Sequence, residues 1–307
     1  MRIASLLPSA TEMVCALGLK NSLVGITHEC DFPAGIEHEI PVLIESCLGP
    51  EGKNLPPDEI DRRIREALAA GQGVYRFKPG TLEAAKPDLI ITQGLCDVCA
   101  VPNNFVVQAA KHLRPSPEVI SLDPTDVTGV LADIRKVGEA AGAVEAAGTL
   151  VEELEERIGA VAGKCAAIPE AKRPRVACIE WFEPIFFGGH WVPEMVELAG
   201  GRDVLATIGE RSKVIEWDAV RKAAPDVIVV MPCGYGLDKV ITEMHLLTQR
   251  PGWNELPAVK NKRVFMTDAN AYFSRPGPRI AQGIEQLAQM LHPELFPVER
   301  PDWERMD

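Results

Sequence analysis

The chain has 307 residues, of which 46% are hydrophobic and 25% are charged, a composition typical of folded globular proteins that excludes a disordered chain. Its net charge of −12 argues against a nucleic-acid-binding surface, because phosphates would be repelled. No apolar stretch approaches the ~20 residues of a membrane helix, and the length suggests two domains.

The N-terminus lacks the pattern of a secretory signal, which combines a basic start, an apolar core and a small-residue cleavage site. As the sequence stands, we expect a cytoplasmic protein; removal of a leader would instead place it in the periplasm or at the cell surface. Disulfides are rare in the cytosol, so we do not expect the eight cysteines to build a disulfide framework.

The first elements in chain order are a strand, a helix and a second strand. Residues 2–7 form an apolar run, and Ser9 is a candidate N-cap because Glu12 follows at capping-box spacing. Gly18 then ends the predicted helix, and residues 23–27 read as the next strand. This order predicts an α/β layer fold.

A helix-Pro-Asp-strand segment occurs twice in the chain. The first copy, TLEAAKPDLIIT, spans residues 81–92, and the second, DAVRKAAPDVIVV, spans residues 218–230. In each copy proline ends a short amphipathic helix, and the unbroken apolar run that follows is typical of a buried parallel strand. We interpret the copies as two lobes of similar α/β design, although such segments also occur in α/β proteins in general.

A long helical stretch separates the two lobes. A first helix ends near Gly142, and a second has apolar residues at helical spacing among glutamates. At 1.5 Å per residue the second helix is ~30 Å long, enough to reach along one side of both lobes. The predicted organisation is an N-terminal α/β lobe (1–124), connecting helices (125–166), a C-terminal α/β lobe (167–295) and a tail (296–307) that packs loosely over the surface.

Chemistry-bearing side chains cluster where strands end. Ligands of parallel sheets bind beyond the carboxyl ends of strands, and nearly every predicted strand end here carries a cysteine, a histidine or an aromatic residue. Large rings around a cleft suit a large, flat, partly apolar ligand. The candidate rings are Trp181, Phe182, Trp191, Tyr235, Tyr272 and Phe273. A buried core position is the alternative for each ring taken alone.

Arg275 follows the last of these rings. It is a candidate partner for an anionic or amide-bearing group of the ligand, because guanidinium forms strong charge-assisted hydrogen bonds. A surface salt bridge is the alternative.

The pair Cys96 and Cys99 allows three interpretations. It is a redox dithiol, part of a metal site completed by Cys30 or His28, or a structural pair that packs or lines the ligand loop. A single CxxC does not decide between them. None of the catalytic motifs GxSxG, HExxH, the Walker loop or GxGxxG is present at the expected place, so we expect a protein that binds without catalysis.

Five segments together resemble the helical-backbone (class III) substrate-binding proteins of ABC importers, and within them the cobalamin-binding branch. The segments, in chain order, are RIASLLPSATEMVCALGL, LVGITHECDFP, PDLIITQ, GGHWVPEMVELAGG and AYFSRPGPRI, and the resemblance covers roughly residues 1–295. It implies two Rossmann-like α/β lobes with parallel sheets, joined by one long backbone helix, with a corrinoid or metal chelate held between them.

The resemblance also implies which residues contact the ligand. They lie in the loops 28–32, 93–99, 181–191 and 272–275, which hold the candidates His28, Glu29, Phe32, Gln93, Trp181, Phe182, His190, Trp191, Tyr272, Phe273 and Arg275. The residues themselves add Ser9, as a helix start with backbone donors, and Tyr235, as a strand-end ring, with Cys30, Cys96 and Cys99 as tentative metal ligands. His190 is a candidate axial ligand to cobalt, because imidazole commonly binds such ions.

Members that dock on a membrane permease carry one acidic residue in each lobe, at the helix before the Pro-Asp strand. The matching positions here are Gly80 and Asp218, so half of the docking pair is missing, and a permease is a possible partner with an incomplete docking pair. We expect a monomer.

Two functions from different classes therefore remain open. The leading hypothesis is a non-catalytic binding protein that closes two lobes on cobalamin or a related corrinoid. The alternative is a metal or Fe–S protein with a redox or enzymatic role, in which Cys30, Cys96 and Cys99 hold zinc or an Fe–S cluster.

Overall fold

A computed structural model describes residues 1–49, 52–70, 73–94 and 103–306 of the chain. The chain divides into two compact units. Unit 1 comprises Met1–Pro124 and Thr128–Glu152, and unit 2 comprises Thr125–Val127 and Glu153–Asp307. Each unit contains a mainly parallel sheet with helices, which confirms the predicted two-lobed α/β fold class.

Unit 1 contains a sheet of six strands in the order β4-β3-β2-β1-β5-β6, counted over its described part. All neighbours are parallel except β3 and β4. The strands are β1 Ile3–Ser5, β2 Leu23–Thr27, β3 Val42–Ser46, β4 Tyr75–Phe77, β5 Leu89–Thr92 and β6 Glu118–Ser121. The helices between them are α1 Pro8–Ala16, α2 Ile36–Glu39, α3 Pro57–Ala69, α4 Thr81–Ala85 and α5 Asn103–His112.

Two helices follow, α6 Val127–Ala141 and α7 Val144–Cys165. Gly142 lies between them with a φ of +70°, a left-handed conformation that glycine adopts at low cost. The 22-residue α7 begins in unit 1 and ends in unit 2, as the predicted backbone helix should. Its apolar positions Val151, Leu154, Ile158 and Val161 are buried, in agreement with the helical spacing in the sequence.

Unit 2 has a sheet in the order β12-β11-β10-β7-β8, and β9 pairs with β7. Strands β7, β10 and β11 are parallel neighbours. The strands are β7 Arg175–Phe182, β8 Ile185–Phe187, β9 Arg202–Asp203, β10 Val227–Val230, β11 Val264–Thr267 and β12 Trp303–Arg305. The helices are α8 Val192–Leu198, α9 Trp217–Ala223, α10 Leu237–Glu243, α11 His245–Thr248, α12 Pro257–Lys260, α13 Ala269–Tyr272 and α14 Ile280–Leu291.

The start of α1 differs from the prediction. The helix begins at Pro8, its N-cap residue is Leu7, and no side chain caps it. Proline suits the first helical position because its fixed φ matches the helix and it has no N–H to leave unpaired. Ser9 therefore lies inside the first turn, 2% exposed, and its prediction as N-cap is wrong. Gly18, just past the helix end, has the expected left-handed φ of +75°.

The two Pro-Asp segments adopt the same local structure. Lys86 and Ala224, which precede the prolines, are the C-cap residues of α4 and α9, and both have a φ of +42°, the left-handed conformation that commonly ends a helix. The backbone N–H of Asp88 donates to Arg2 O, and Asp88 Oδ2 accepts from Arg2 N at 2.8 Å.

In unit 2 the N–H of Asp226 likewise donates to Arg175 O, and Asp226 Oδ2 accepts from Arg175 N at 2.9 Å. Each aspartate thus fixes the start of its own strand against the first strand of its own unit. The shared contacts support the interpretation of the segment as a structural repeat.

The C-terminal tail is ordered, contrary to the prediction that it packs loosely. Its residues Trp303–Arg305 form β12, which pairs antiparallel with β11. The Trp303 ring packs edge-on against Phe265, with centroids 5.1 Å apart, and Trp303 Nε1 donates to Gln289 Oε1 at 3.2 Å. An aromatic anchor inside a polar, proline-rich segment carries no periodic signal, so sequence patterning missed this strand.

Within the described ranges, no helix combines the length and the apolar character needed to cross a membrane.

Candidate functional site

The carboxyl edge of the unit 1 sheet carries a histidine, an acid and a tyrosine. His28 and Glu29 directly follow β2, and Tyr75 opens the antiparallel β4, so its position falls at the same edge. The centroids of the His28 and Tyr75 rings are 5.5 Å apart. His28 Nε2 lies 3.0 Å from Glu29 Oε1; both side chains are partly exposed, but both ring nitrogens of His28 are buried. This cluster brings an imidazole ring, a carboxylate and a phenol together.

Two further candidates of unit 1 differ in exposure. Phe32 is 43% exposed, as a ligand-contacting ring should be. Gln93, which follows β5, is 8% exposed and therefore offers little surface. The next residue, Gly94, donates its N–H to Asp123 Oδ1, which joins the ends of β5 and β6. Tyr75 was not among the predicted residues, because only the antiparallel pairing with β3 brings it to this edge.

Cys30 is a core residue of unit 1. It is 1% exposed, and its Sγ lies 3.1 Å from Thr11 Oγ1 and 3.3 Å from Thr27 Oγ1. No group of three histidine, cysteine or acidic side chains among the described residues could hold a metal ion. The Cys30 thiol therefore packs against hydroxyls inside unit 1. Cys96 and Cys99 lie outside the described residues, so the tentative metal assignment of the three cysteines stays a prediction.

The six candidate rings of unit 2 separate into two groups. Phe182, Phe273, Tyr235 and Trp191 are buried, with exposures of 0%, 2%, 4% and 7%. For these four rings the core alternative therefore holds. Trp181 and Tyr272 remain partly exposed, and they lie in β7 and α13 rather than in loops.

The buried rings hold the partly exposed ones in place. Trp191 Nε1 donates to Phe273 O at 2.8 Å, which fixes the chain next to Tyr272. Asp268 caps α13 by accepting from Ala271 N at 2.8 Å. A Cβ atom at Gly283 would lie 2.5 Å from Tyr272 O, so the close approach of α14 requires glycine there.

Arg275 lies beyond these rings and is 6% exposed. The alternative of a surface salt bridge is therefore wrong.

His190 has a φ of +54°, a left-handed conformation that is uncommon outside glycine and that two backbone bonds hold. Its N–H donates to Glu210 O at 2.6 Å, and its O accepts from Gly209 N at 3.0 Å. Burial lowers the pKa of the imidazole, and the charge of Arg211 lowers it further. The neutral form that a metal ligand requires is therefore favoured, but Nε2 is buried without a hydrogen-bond partner.

Two cations that the sequence reasoning missed lie beside the tyrosines of unit 2. Lys239 Nζ lies 4.0 Å from the ring centroid of Tyr235, and Arg279 Cζ lies 5.7 Å from that of Tyr272. The spacing of four residues between Tyr235 and Lys239 was the available signal: Tyr235 precedes the N-cap residue Gly236, and Lys239 lies in the first turn of α10. Trp181 completes this part of the edge, with its ring 5.3 Å from Tyr235.

The two positions that correspond to the permease-docking acids are a glycine in unit 1 and an aspartate in unit 2. Gly80 is the N-cap of α4 with a φ of +72°. Asp218 lies in the first turn of α9, and its side chain is exposed and paired with Arg221 at 3.0 Å. A docking role for either position stays a prediction.

Comparison with known proteins gives one family match and several relatives. The family model described as "Periplasmic binding protein" matches residues 76–271. The uncharacterized ABC transporter substrate-binding lipoprotein YvrC of Bacillus subtilis is 24% identical over 300 residues, covering 96% of this chain and 81% of its own. The vitamin B12-binding protein of Yersinia pestis is 23% identical over 300 residues, covering 94% of this chain and 86% of its own.

Among solved structures, a periplasmic heme-binding protein from Pseudomonas aeruginosa has a TM-score of 0.73 at 20% sequence identity, covering 100% of this chain and 98% of its own. At 20% identity, this similarity shows that the two proteins share a fold.

Proposed function

Since the chain belongs to the periplasmic binding protein family, we propose that it is a non-catalytic receptor for a flat metal-containing macrocycle, a corrinoid or a porphyrin, that it delivers to a membrane permease. The ligand class is supported by the names of two similar proteins, one binding vitamin B12 and one binding heme. Cobalamin is one candidate within this class.

The observation that carries the proposal is the pair of partly exposed rings at the strand-end edge of unit 2. Trp181 and Tyr272 are partly exposed, while Phe182, Tyr235 and Phe273 beside them are buried, and Trp191 Nε1 donates to Phe273 O. A rigid aromatic surface binds a flat ligand with little loss of side-chain entropy. In unit 1, His28, Glu29 and Tyr75 form a polar group at the strand-end edge of the sheet.

The alternative of a metal or Fe–S protein stays a prediction, because Cys96 and Cys99 lie outside the described residues. Its third proposed ligand, Cys30, has a buried thiol that contacts Thr11 and Thr27. That a single ligand contacts both lobes stays a prediction, which variants in each unit can test separately.

The proposal is tested by titrating the purified full chain with cobalamin, cobinamide and hemin, following absorbance and heat. We expect at least one to bind with micromolar affinity or tighter. W181A and Y272A should each weaken binding about tenfold, because one stacking face is lost. F296A is a matched control, since Phe296 is a partly exposed ring with a cation over it beyond the end of α14. Absence of binding for all three ligands would reject the proposal.

A further inference from the structure

The two tyrosines at the strand-end edge of unit 2 each have a cation over the ring. Lys239 lies over Tyr235 and Arg279 over Tyr272, both within the ~6 Å at which cation–π attraction is significant. Tyr235 follows β10 and Tyr272 follows β11, which are parallel neighbours in the sheet. The two loops are also joined directly, because Asn270 N donates to Tyr235 O at 3.1 Å. The two cation–ring pairs therefore belong to one continuous edge.

Lys239 is partly desolvated and has an acidic neighbour, Glu243. Burial lowers the pKa of its ammonium group, and the charge of Glu243 opposes this shift. A partly desolvated ammonium gains more from an added carboxylate than a fully hydrated one does. The edge is not uniformly positive, because Asp302 Oδ2 lies 3.5 Å from the Tyr272 hydroxyl. The cations thus supply discrimination rather than the main affinity.

We infer that Lys239 and Arg279 select macrocycles that carry carboxylates at their periphery over those that carry neutral amides or esters. The inference rests on the proposed function. A ligand lying against Trp181 and Tyr272 would place its rim near the two cations, since each cation covers a ring of the same edge. A carboxylate there gains a charge-assisted contact, whereas an amide gains only a neutral hydrogen bond. A porphyrin dicarboxylate fits this chemistry better than a corrinoid whose rim carries amides.

The test compares hemin with its dimethyl ester, which keeps the ring and the iron but removes both carboxylate charges. Both are titrated into the full chain in the same dilute detergent. We expect the wild type to prefer hemin about tenfold, and K239Q and R279Q each to reduce that preference about threefold. K239R should retain the preference, because it keeps the charge. K164Q is the matched control, since Lys164 Nζ lies 5.1 Å from the Phe296 ring outside this edge.

Each outcome decides a separate point. Equal affinity for hemin and its ester in the wild type would overturn the inference while leaving the proposed function in place. A loss of preference in K239R as large as in K239Q would also overturn it, because charge would then not be the cause. Failure of hemin, its ester and cobalamin alike to bind would reject both proposals.

Discussion

The strand-end edges of the two units share a backbone framework and differ in chemistry. In each unit a Pro-Asp pair opens a central strand, and the aspartate accepts the N–H at the start of the first strand. At the opposite ends of these strands, unit 1 presents the polar group of His28, Glu29 and Tyr75. Unit 2 presents Trp181 and Tyr272, with cations over its two tyrosines. The repeat thus builds a common scaffold in the two units, while the side chains at and beyond their strand ends differ.

The largest expected effect separates the two neighbours Trp181 and Phe182 at the end of β7. Phe182 is fully buried, so F182A should lower the free energy of unfolding by about 3–5 kcal/mol through lost burial and a cavity. W181A should lower it by only about 1 kcal/mol, because the ring is partly exposed. Chemical denaturation of both variants measures the difference. Equal losses in the free energy of unfolding would show that Trp181 is packed as tightly as Phe182 and is not the exposed ring proposed for this edge.

A second test concerns Asp133 of α6, in unit 1, which is 8% exposed. Burial raises its pKa from 3.8 to about 7; the charge of Asp123 adds to this, and that of Lys136 opposes it. Between these pH values the unfolded carboxyl is ionised while the folded one holds its proton. The free energy of unfolding should therefore fall as the pH rises through this window and remain lower above it.

D133N should remove this fall and stabilise the protein above pH 7 by on the order of 2 kcal/mol, because no buried charge forms. Urea unfolding at pH 4.5, 6 and 8 measures the effect. E139Q is the control, since Glu139 is exposed on the same helix. Curves for D133N and the wild type that run parallel across this range would contradict the prediction.

The smallest expected effect compares the two aspartates of the repeat. D226A should cost about 1–2 kcal/mol, because the partly buried N–H of Arg175 loses its acceptor. D88A should cost less than about 1 kcal/mol, since the matching bond to Arg2 is exposed and water can replace the carboxylate. Thermal and urea unfolding of both variants provide the comparison. A larger loss in the free energy of unfolding for D88A than for D226A would contradict the prediction, because the exposed hydrogen bond would then contribute more than the partly buried one.

Much of the fold could be predicted because its signals are local. The boundaries of β2, α6 and β10 follow from apolar runs, helical spacing and the stops at Gly142 and Pro225. The N-cap at Ser9 was wrong because Pro8 competes for the helix start, and β12 was missed because its anchor, Trp303, acts through one distant contact.

The candidate site could be predicted only as a set of strand ends. Arg275 and Cys30 were placed at the correct edges but are buried, and burial depends on the elements packed around them. Lys239 and Arg279 were missed because the contact between a cation and a ring depends on how segments of the chain pack. The four-residue spacing between Tyr235 and Lys239 was a weak signal.

The amino-acid sequence alone determined the two α/β repeats, the helix that connects them and the strand ends at which chemistry-bearing residues collect. These features follow from short-range periodicity and from backbone restrictions that proline and glycine impose wherever they occur. Tertiary structure alone decided which of two adjacent rings, Trp181 or Phe182, faces outward, and which cations cover the tyrosines. The physical reason is that burial and charge depend on neighbours that are distant in the chain and become close only when the sheets form.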